Sequence, residues 1–157
     1  MKKIVTFFLS MTLLLTGLTA CAAETDVNRN MRIVLQIGNP NMTVNEIEKP
    51  IDENGTVPVI VNDRTLLPVR AVIEEMGGAV EWDNETQTVL LAYGDDIVTL
   101  AIDNTTAFLN DNAQTLDTAP TIINDRTMLP IRFIAESFHF DVSWLQEEQQ
   151  VIITNIT

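Results

Sequence analysis

Few residues in this chain are equipped for chemistry, and each stands alone. Cys21 is the only cysteine, His139 the only histidine and Tyr93 the only tyrosine. A thiol or hydroxyl nucleophile needs a base beside it, and His139 is the sole candidate. Asp52-Glu53-Asn54-Gly55 has the look of a calcium loop, but the alternating acidic ligands and the closing Glu of such a loop are missing. Carboxylates are plentiful, so a paired-carboxylate hydrolysis is the one reaction left open, because spacing in space is invisible in sequence. No motif for a reaction is present. The expectation is a protein that is not an enzyme and that carries no metal and no cofactor.

What the chain does contain is a repetition. Ile60-Val61-Asn62-Asp63-Arg64-Thr65-Leu66-Leu67-Pro68-Val69-Arg70 returns as Ile122-Ile123-Asn124-Asp125-Arg126-Thr127-Met128-Leu129-Pro130-Ile131-Arg132. The register continues through Glu74/Glu136, Val80/Val142, Trp82/Trp144, Glu85/Glu147, Gln87/Gln149 and Val89/Val151, every pair 62 positions apart. A shared register of this length indicates a duplicated structural unit. Its signature residues are Arg64, Pro68, Arg70, Glu74 and Trp82, then Arg126, Pro130, Arg132, Glu136 and Trp144. They are the candidate site, either as structure or as a binding surface.

The elements that position them follow from periodicity. Ile33, Leu35 and Ile37 alternate with polar or smaller neighbours, as in a half-buried strand, and Val98, Leu100 and Ile102 match them 65 positions on. The offset falls to 62 within Glu53–Val57, which marks a surface loop there. Short strands at Val57–Val61 and Ala119–Ile123 lead into Asn62-Asp63 and Asn124-Asp125, where Asn supplies the positive φ of a tight hairpin. The return strands end at Pro68 and Pro130, which suit the first turn of a helix.

Val69, Val72, Ile73 and Met76 then take helical spacing, as do Ile131, Ile134, Ala135 and Phe138. Arg70/Glu74 and Arg132/Glu136 are i,i+4 pairs; the repetition of both arginines suggests half-buried guanidinium groups bonding strand carbonyls, or else a duplicated anion site. Gly77 closes the first helix, and His139 holds the matching place as a helix terminator rather than a metal ligand. A hairpin follows each helix, over Ala79–Asp83 with Thr86–Ala92 and over Asp141–Leu145 with Gln149–Thr154. Trp82 and Trp144 lie on the first arms, as core anchors or as an aromatic platform.

The first twenty residues read as an address. Lys2 and Lys3 precede an apolar run over Ile4–Leu18, too short for a comfortable membrane span and placed like a secretory signal. The run ends in Leu18-Thr19-Ala20-Cys21, which resembles the lipobox of bacterial lipoproteins. That resemblance implies cleavage before Cys21, lipid on its sulfur and a protein held outside the cytoplasm on the bacterial cell membrane. The expected organisation is a signal peptide over 1–20, a lipidated tether over 21–30, and repeats over 31–94 and 95–157 that pack as one unit. The chain carries a net charge of −13, and loss of Lys2 and Lys3 leaves seven cations against 22 acids. Such a surface repels nucleic acid and anionic headgroups, which excludes polyanion binding as the main function.

From about Met31 to Thr154 the pattern resembles the copper amine oxidase N-terminal (stalk) domain family. The resemblance rests on the Arg-Thr-x-x-Pro-x-Arg core, the short helix, and Val-x-Trp followed by a Thr-Val strand in the first repeat. It implies an α+β fold of two repeats, each of short antiparallel strands wrapped on a short helix, with neither copper nor a quinone. The turns depart from the family's frequent Asn-Gly: they read Asn45-Glu46, Asn62-Asp63, Asn110-Asp111 and Asn124-Asp125, a choice less favourable to a type I′ turn. The function expected is a lipid-anchored binding module holding an envelope polymer or a partner protein near the membrane. The alternative is a spacer or dimerising stalk. An exposed aromatic cluster would favour the first and an open flat edge strand the second.

Overall fold

The computed structural model describes residues 30–155. The expected signal peptide, Cys21 and all of the tether but Asn30 lie outside the described residues. Within them the chain runs through β1 (Arg32–Gln36), β2 (Asn41–Val44), β3 (Ile47–Pro50), β4 (Val59–Val61), β5 (Arg64–Pro68), α1 (Val69–Glu75), β6 (Ala79–Asp83) and β7 (Thr88–Tyr93). The second half follows the same order: β8 (Asp96–Ala101), β9 (Thr106–Leu109), β10 (Asn112–Thr115), β11 (Thr121–Ile123), β12 (Arg126–Pro130), α2 (Ile131–Ser137), β13 (Phe140–Leu145) and β14 (Gln150–Asn155). The fold is α+β, mainly antiparallel sheet with two short helices.

Each sheet draws strands from both halves of the chain. The orders are β13-β14-β1-β2-β3, β10-β9-β8-β7-β6 and β11-β12-β5-β4. The reason lies at Gly94-Asp95: two residues between β7 and β8 leave those strands no choice but to pair, from Tyr93↔Asp96 to Thr88↔Ala101. The same pairing recurs between the last strand and the first, with Ile33↔Ile153 and Leu35↔Val151. In the small central sheet Leu67 faces Leu129, with Leu66 opposite Pro130 and Pro68 opposite Met128. Leu67 and Leu129 are residues 62 apart in the chain, so positions at the repeat spacing pair with each other there.

The turns explain how such short strands hold their register. Both central residues have positive φ in Asn45-Glu46 (47° and 72°), Asn62-Asp63 (50° and 59°), Asn110-Asp111 (48° and 65°) and Asn124-Asp125 (50° and 60°). These are type I′ geometries adopted despite the acid at the second position. In two of them the Asn side chain ties the turn to the neighbouring strand: Asn45 Oδ1 accepts from the Arg32 amide of β1 and Asn110 Oδ1 from the Ile97 amide of β8, both at 2.9 Å.

The helices bury the predicted faces, Val69, Val72 and Ile73 on α1 with Met76 at its C-cap, and Ile131, Ile134 and Ala135 on α2 with Phe138 at its C-cap. Pro68 and Pro130 sit one position before the first helical residue, each closing its strand at the N-cap with ψ 104°. After α1, the Gly77 amide donates to the Glu74 carbonyl and the Gly78 amide to that of Ile73, the paired bonds of a Schellman ending. After α2, His139 takes φ 61° and donates to the Glu136 carbonyl. One continuous core joins the halves, running from Ile33 and Leu35 through Val72 and Leu91 to Ile134 and Ile153.

Candidate functional site

The signature residues, Glu136 apart, gather in two grooves lined by largely corresponding positions. The first, about 770 Å³, is lined by Pro68, Arg70, Glu74 and Trp82 from one half and by Ile122, Arg126 and Thr127 from the other. The second, about 470 Å³, is lined by Pro130, Arg132 and Trp144 with Ile60, Arg64 and Thr65. Each groove therefore takes its helix arginine and tryptophan from one half and its hairpin arginine from the other. Glu136 alone of the signature lies outside the groove linings, paired with Arg132 at 3.7 Å.

The hairpin arginines are fixed by carboxylates that the repeat signature does not include. Arg126 Nε donates to Asp52 Oδ2 at 3.0 Å, and Arg64 donates to Asp117 Oδ2 from Nε at 2.9 Å and from Nη2 at 2.8 Å. Each also caps its own turn, Arg126 to the Asp125 carbonyl at 3.2 Å and Arg64 to that of Asp63 at 3.1 Å. Asp52 and Asp117 are themselves equivalent, being the Asp of Ile51-Asp52 and Leu116-Asp117 at the 65-residue offset. That recurrence was the available signal, since it places the same acid before both central hairpins.

The two carboxylates sit in different surroundings. The three residues extra to the first half form a loop that turns back on Asp52, whose Oδ1 accepts from the Asn54 amide at 2.9 Å and the Thr56 amide at 3.0 Å. The Thr56 hydroxyl donates to Oδ2. Burial is the largest influence on this carboxyl and pushes its pKa up, but hydrogen bonds from Thr56, Arg126 and Asn54 together outweigh it and hold the group at about 2. Asp117 has no such loop and its side chain is 71% exposed against 18% for Asp52.

The helix arginines correct one expectation. Arg70 does reach a strand carbonyl, that of Val80 at 3.3 Å, and also Glu74 at 3.5 Å. But Arg70 and Arg132 are exposed rather than half-buried, because α1 and α2 present that face to the grooves and not to the sheets. The tryptophans divide the alternatives posed for them. Both pack against the core and both line a groove. Trp144 Nε1 donates to Gln146 Oε1 at 2.8 Å; the matching residue beside Trp82 is Asn84, one methylene shorter, and no such bond forms there among the described residues.

The model of the copper amine oxidase N-terminal domain matches residues 54–153. The chain belongs to that family. The match takes in the signature, the whole second groove and the chain from β4 into β14, and leaves outside it β1–β3 and the Ile51, Asp52 and Glu53 lining of the first groove. In copper amine oxidases this domain is the N-terminal, non-catalytic part, which fits a protein that is not an enzyme. No curated protein matches the chain. Among the described residues no three His, Cys, Asp or Glu side chains converge as metal ligands. His139 meets a single carboxylate, Asp96 Oδ2 at 3.3 Å from Nε2, with its ring 81% exposed.

Proposed function

We propose that this protein is a non-catalytic, lipid-anchored binding module of the bacterial cell envelope, held outside the cytoplasm by Cys21 and retaining an envelope polymer or a partner protein near the membrane. The observation that carries this reading is the pair of matching grooves. Each presents a half-buried indole beside two guanidinium groups, the kind of concave surface with a few fixed polar groups that ligands use. In this reading the halves are two copies of one stalk-type unit, each with its strands laid around its helix, and their exchange of strands builds each groove from both copies.

The alternative, a dimerising stalk or spacer, needs an open edge on which a second copy can pair. The sheets end on β3, β4, β6, β10, β11 and β13. β4 and β11 have three residues each, β3 carries Lys49 and Pro50, and the longer β6 and β13 carry Glu81, Asp83 and Asp141. β10 (Asn112–Thr115) is exposed and carries neither charge nor proline, but at four residues it too is short; short, charged or proline-bearing edges resist edge-to-edge pairing, which favours the binding module.

The test is in-cell crosslinking of the lipidated protein from a photoreactive residue at Ile60 or Ile122, both exposed on the groove walls. A specific product with an envelope polymer or a single partner protein is expected at both positions. Products consisting only of a second copy of this chain would replace the binding reading with the assembly one.

A further inference from the structure

We propose that the two grooves are equivalent subsites for an uncharged glycan, each stacking one sugar face on its tryptophan and bonding hydroxyls to its arginines. This deepens the binding reading above and rests on it.

Charge narrows the class of ligand first. Six cations fall among the described residues, and four of them, Arg64, Arg70, Arg126 and Arg132, line the grooves. Yet none presents a bare positive charge: each is paired, with Asp117, Glu74, Asp52 and Glu136 in turn. The first groove sets its two guanidinium groups against the carboxylates of Asp52, Glu53, Glu74 and Asp125, and the second sets two against Asp63 and Asp117. A polyanion would meet neutral or negative ground in a protein that is acidic throughout. A polycation would find carboxylates over the whole surface and no reason to prefer the grooves. Concentrating paired guanidinium groups here supplies directional donors without net positive charge.

The donors are available. A guanidinium has five N–H groups in a fixed plane. Arg126 uses one on Asp52 and one on the Asp125 carbonyl; Arg64 uses three, on Asp117 and the Asp63 carbonyl. The remaining N–H groups are held in place by these bonds, so ordering them on a ligand costs little. Neighbouring hydroxyls of a pyranose, each both donor and acceptor, suit a guanidinium–carboxylate fork. The indole supplies the complementary surface, a flat apolar face against which the C–H side of a pyranose ring packs.

Duplication supplies the last argument. Two grooves lined by corresponding residues suit a ligand that repeats itself, since each can hold a segment of the same polymer. A single small molecule would need only one groove.

The test uses the full-length lipidated protein in a detergent without a sugar headgroup. The probes are a β-1,4-linked glucose tetramer and a longer soluble mixed-linkage β-glucan, whose 1,4-linked rings carry neighbouring hydroxyls, with polygalacturonate as the anionic comparison. Trp82→Phe and Trp144→Phe each leave one indole to report one groove. Saturable changes of tryptophan emission with the neutral tetramer are expected in both variants, and affinity for the long polymer should fall about two-fold or more in either as one of two places to bind is lost. Arg132→Gln, an exposed change, should weaken binding in the second groove and leave the first unaltered.

Three outcomes would overturn the proposal: no response to any neutral sugar, preference for polygalacturonate with steep salt dependence, or calorimetric binding unchanged when both tryptophans are phenylalanine. Circular dichroism establishes that each variant is folded. If the sugars fail while crosslinking at Ile60 and Ile122 still captures one envelope protein, the binding module stands and only its ligand class is wrong.

Discussion

Arg126 donates to Asp52 across the two halves of the chain, and the same contact is made in reverse by Arg64 on Asp117. The residues differ little, but the surroundings do. Asp52 is mostly covered and receives Thr56 and Asn54 as well, so its carboxyl titrates at about 2 instead of near its ordinary 3.8. A group whose pKa is depressed on folding stabilises the fold above its unfolded value, and that contribution is lost as pH falls through the folded value. Asp52→Asn should therefore cost about 1–2 kcal/mol at neutral pH and flatten the loss of stability between pH 4 and 2. Asp117→Asn breaks an exposed pair and should cost no more than about 1 kcal/mol. Denaturant unfolding across that pH range measures both. Equal effects of the two substitutions would show that the Asp52 loop adds nothing.

Gly78 offers a packing test. A Cβ there would lie 2.7 Å from the Ala92 carbonyl oxygen and 2.8 Å from the Ile73 Cγ2. The backbone oxygen belongs to β7 and cannot give way without disturbing the β6–β7 pairing. Gly78→Ala should cost about 1–3 kcal/mol, as over-packing does. At the equivalent position 62 residues on stands Phe140, buried and stacked edge-on against Tyr93 with ring centres 5.2 Å apart. An unchanged melting temperature in Gly78→Ala would show that the turn after α1 is looser than its geometry.

Much of this architecture could be read from the residues, and the limit falls at a definite place. Hairpin turns, helix faces and both C-terminal caps follow from local chemistry: Asn at positive φ, apolar residues at i, i+3 and i+4, Gly77 and His139 at the helix ends. The grooves do not follow from it. A spacing of 62 says that Arg64 and Arg126 are equivalent, but not that Arg126 belongs beside Trp82 and Arg64 beside Trp144. That assignment is made by strand exchange, which depends on which halves of each sheet find each other in space. The exposure of Arg70 and Arg132 is hidden for the same reason, since an i,i+4 pair reads alike on a groove wall or against a sheet.

His139 tests helix termination against metal chemistry. With φ 61° it occupies the region where glycine is at ease and a β-branched residue is strained. His139→Gly should be neutral or stabilising, and His139→Val should lose about 1 kcal/mol or more. Tight copper or zinc binding that vanishes in His139→Gly would overturn this.

The anchor has its own measurement. Cys21→Ser should leave the protein unprocessed or release it from the membrane, read by detergent phase partitioning. Two or three acyl chains hold firmly where one holds reversibly. A Cys21→Ser protein processed and membrane-bound like its parent would remove lipidation from the proposal.

The exchange of strands makes a stronger prediction about cooperativity. β6 and β7 belong to the first half of the chain but sit in a sheet with β8, β9 and β10, while β13 and β14 of the second half extend β1, β2 and β3. Tyr93 stacks on Phe138 and Phe140 across the same division. Cutting at Gly94-Asp95 would leave either piece with one three-stranded meander, two hairpins and half a core, below what a chain of that size holds together without disulfides. Each piece alone should therefore be poorly folded. Mixed, the pieces retain every pairing except the β7–β8 turn itself and should recover native circular dichroism. In the intact chain, Trp82→Phe and Trp144→Phe leave one reporter in each half. Both should unfold at one denaturant midpoint, coincident with the far-ultraviolet signal, with one m-value suited to the whole domain. Two separated midpoints, or one piece that folds fully by itself, would mean that strand exchange does not bind the halves into a single unit.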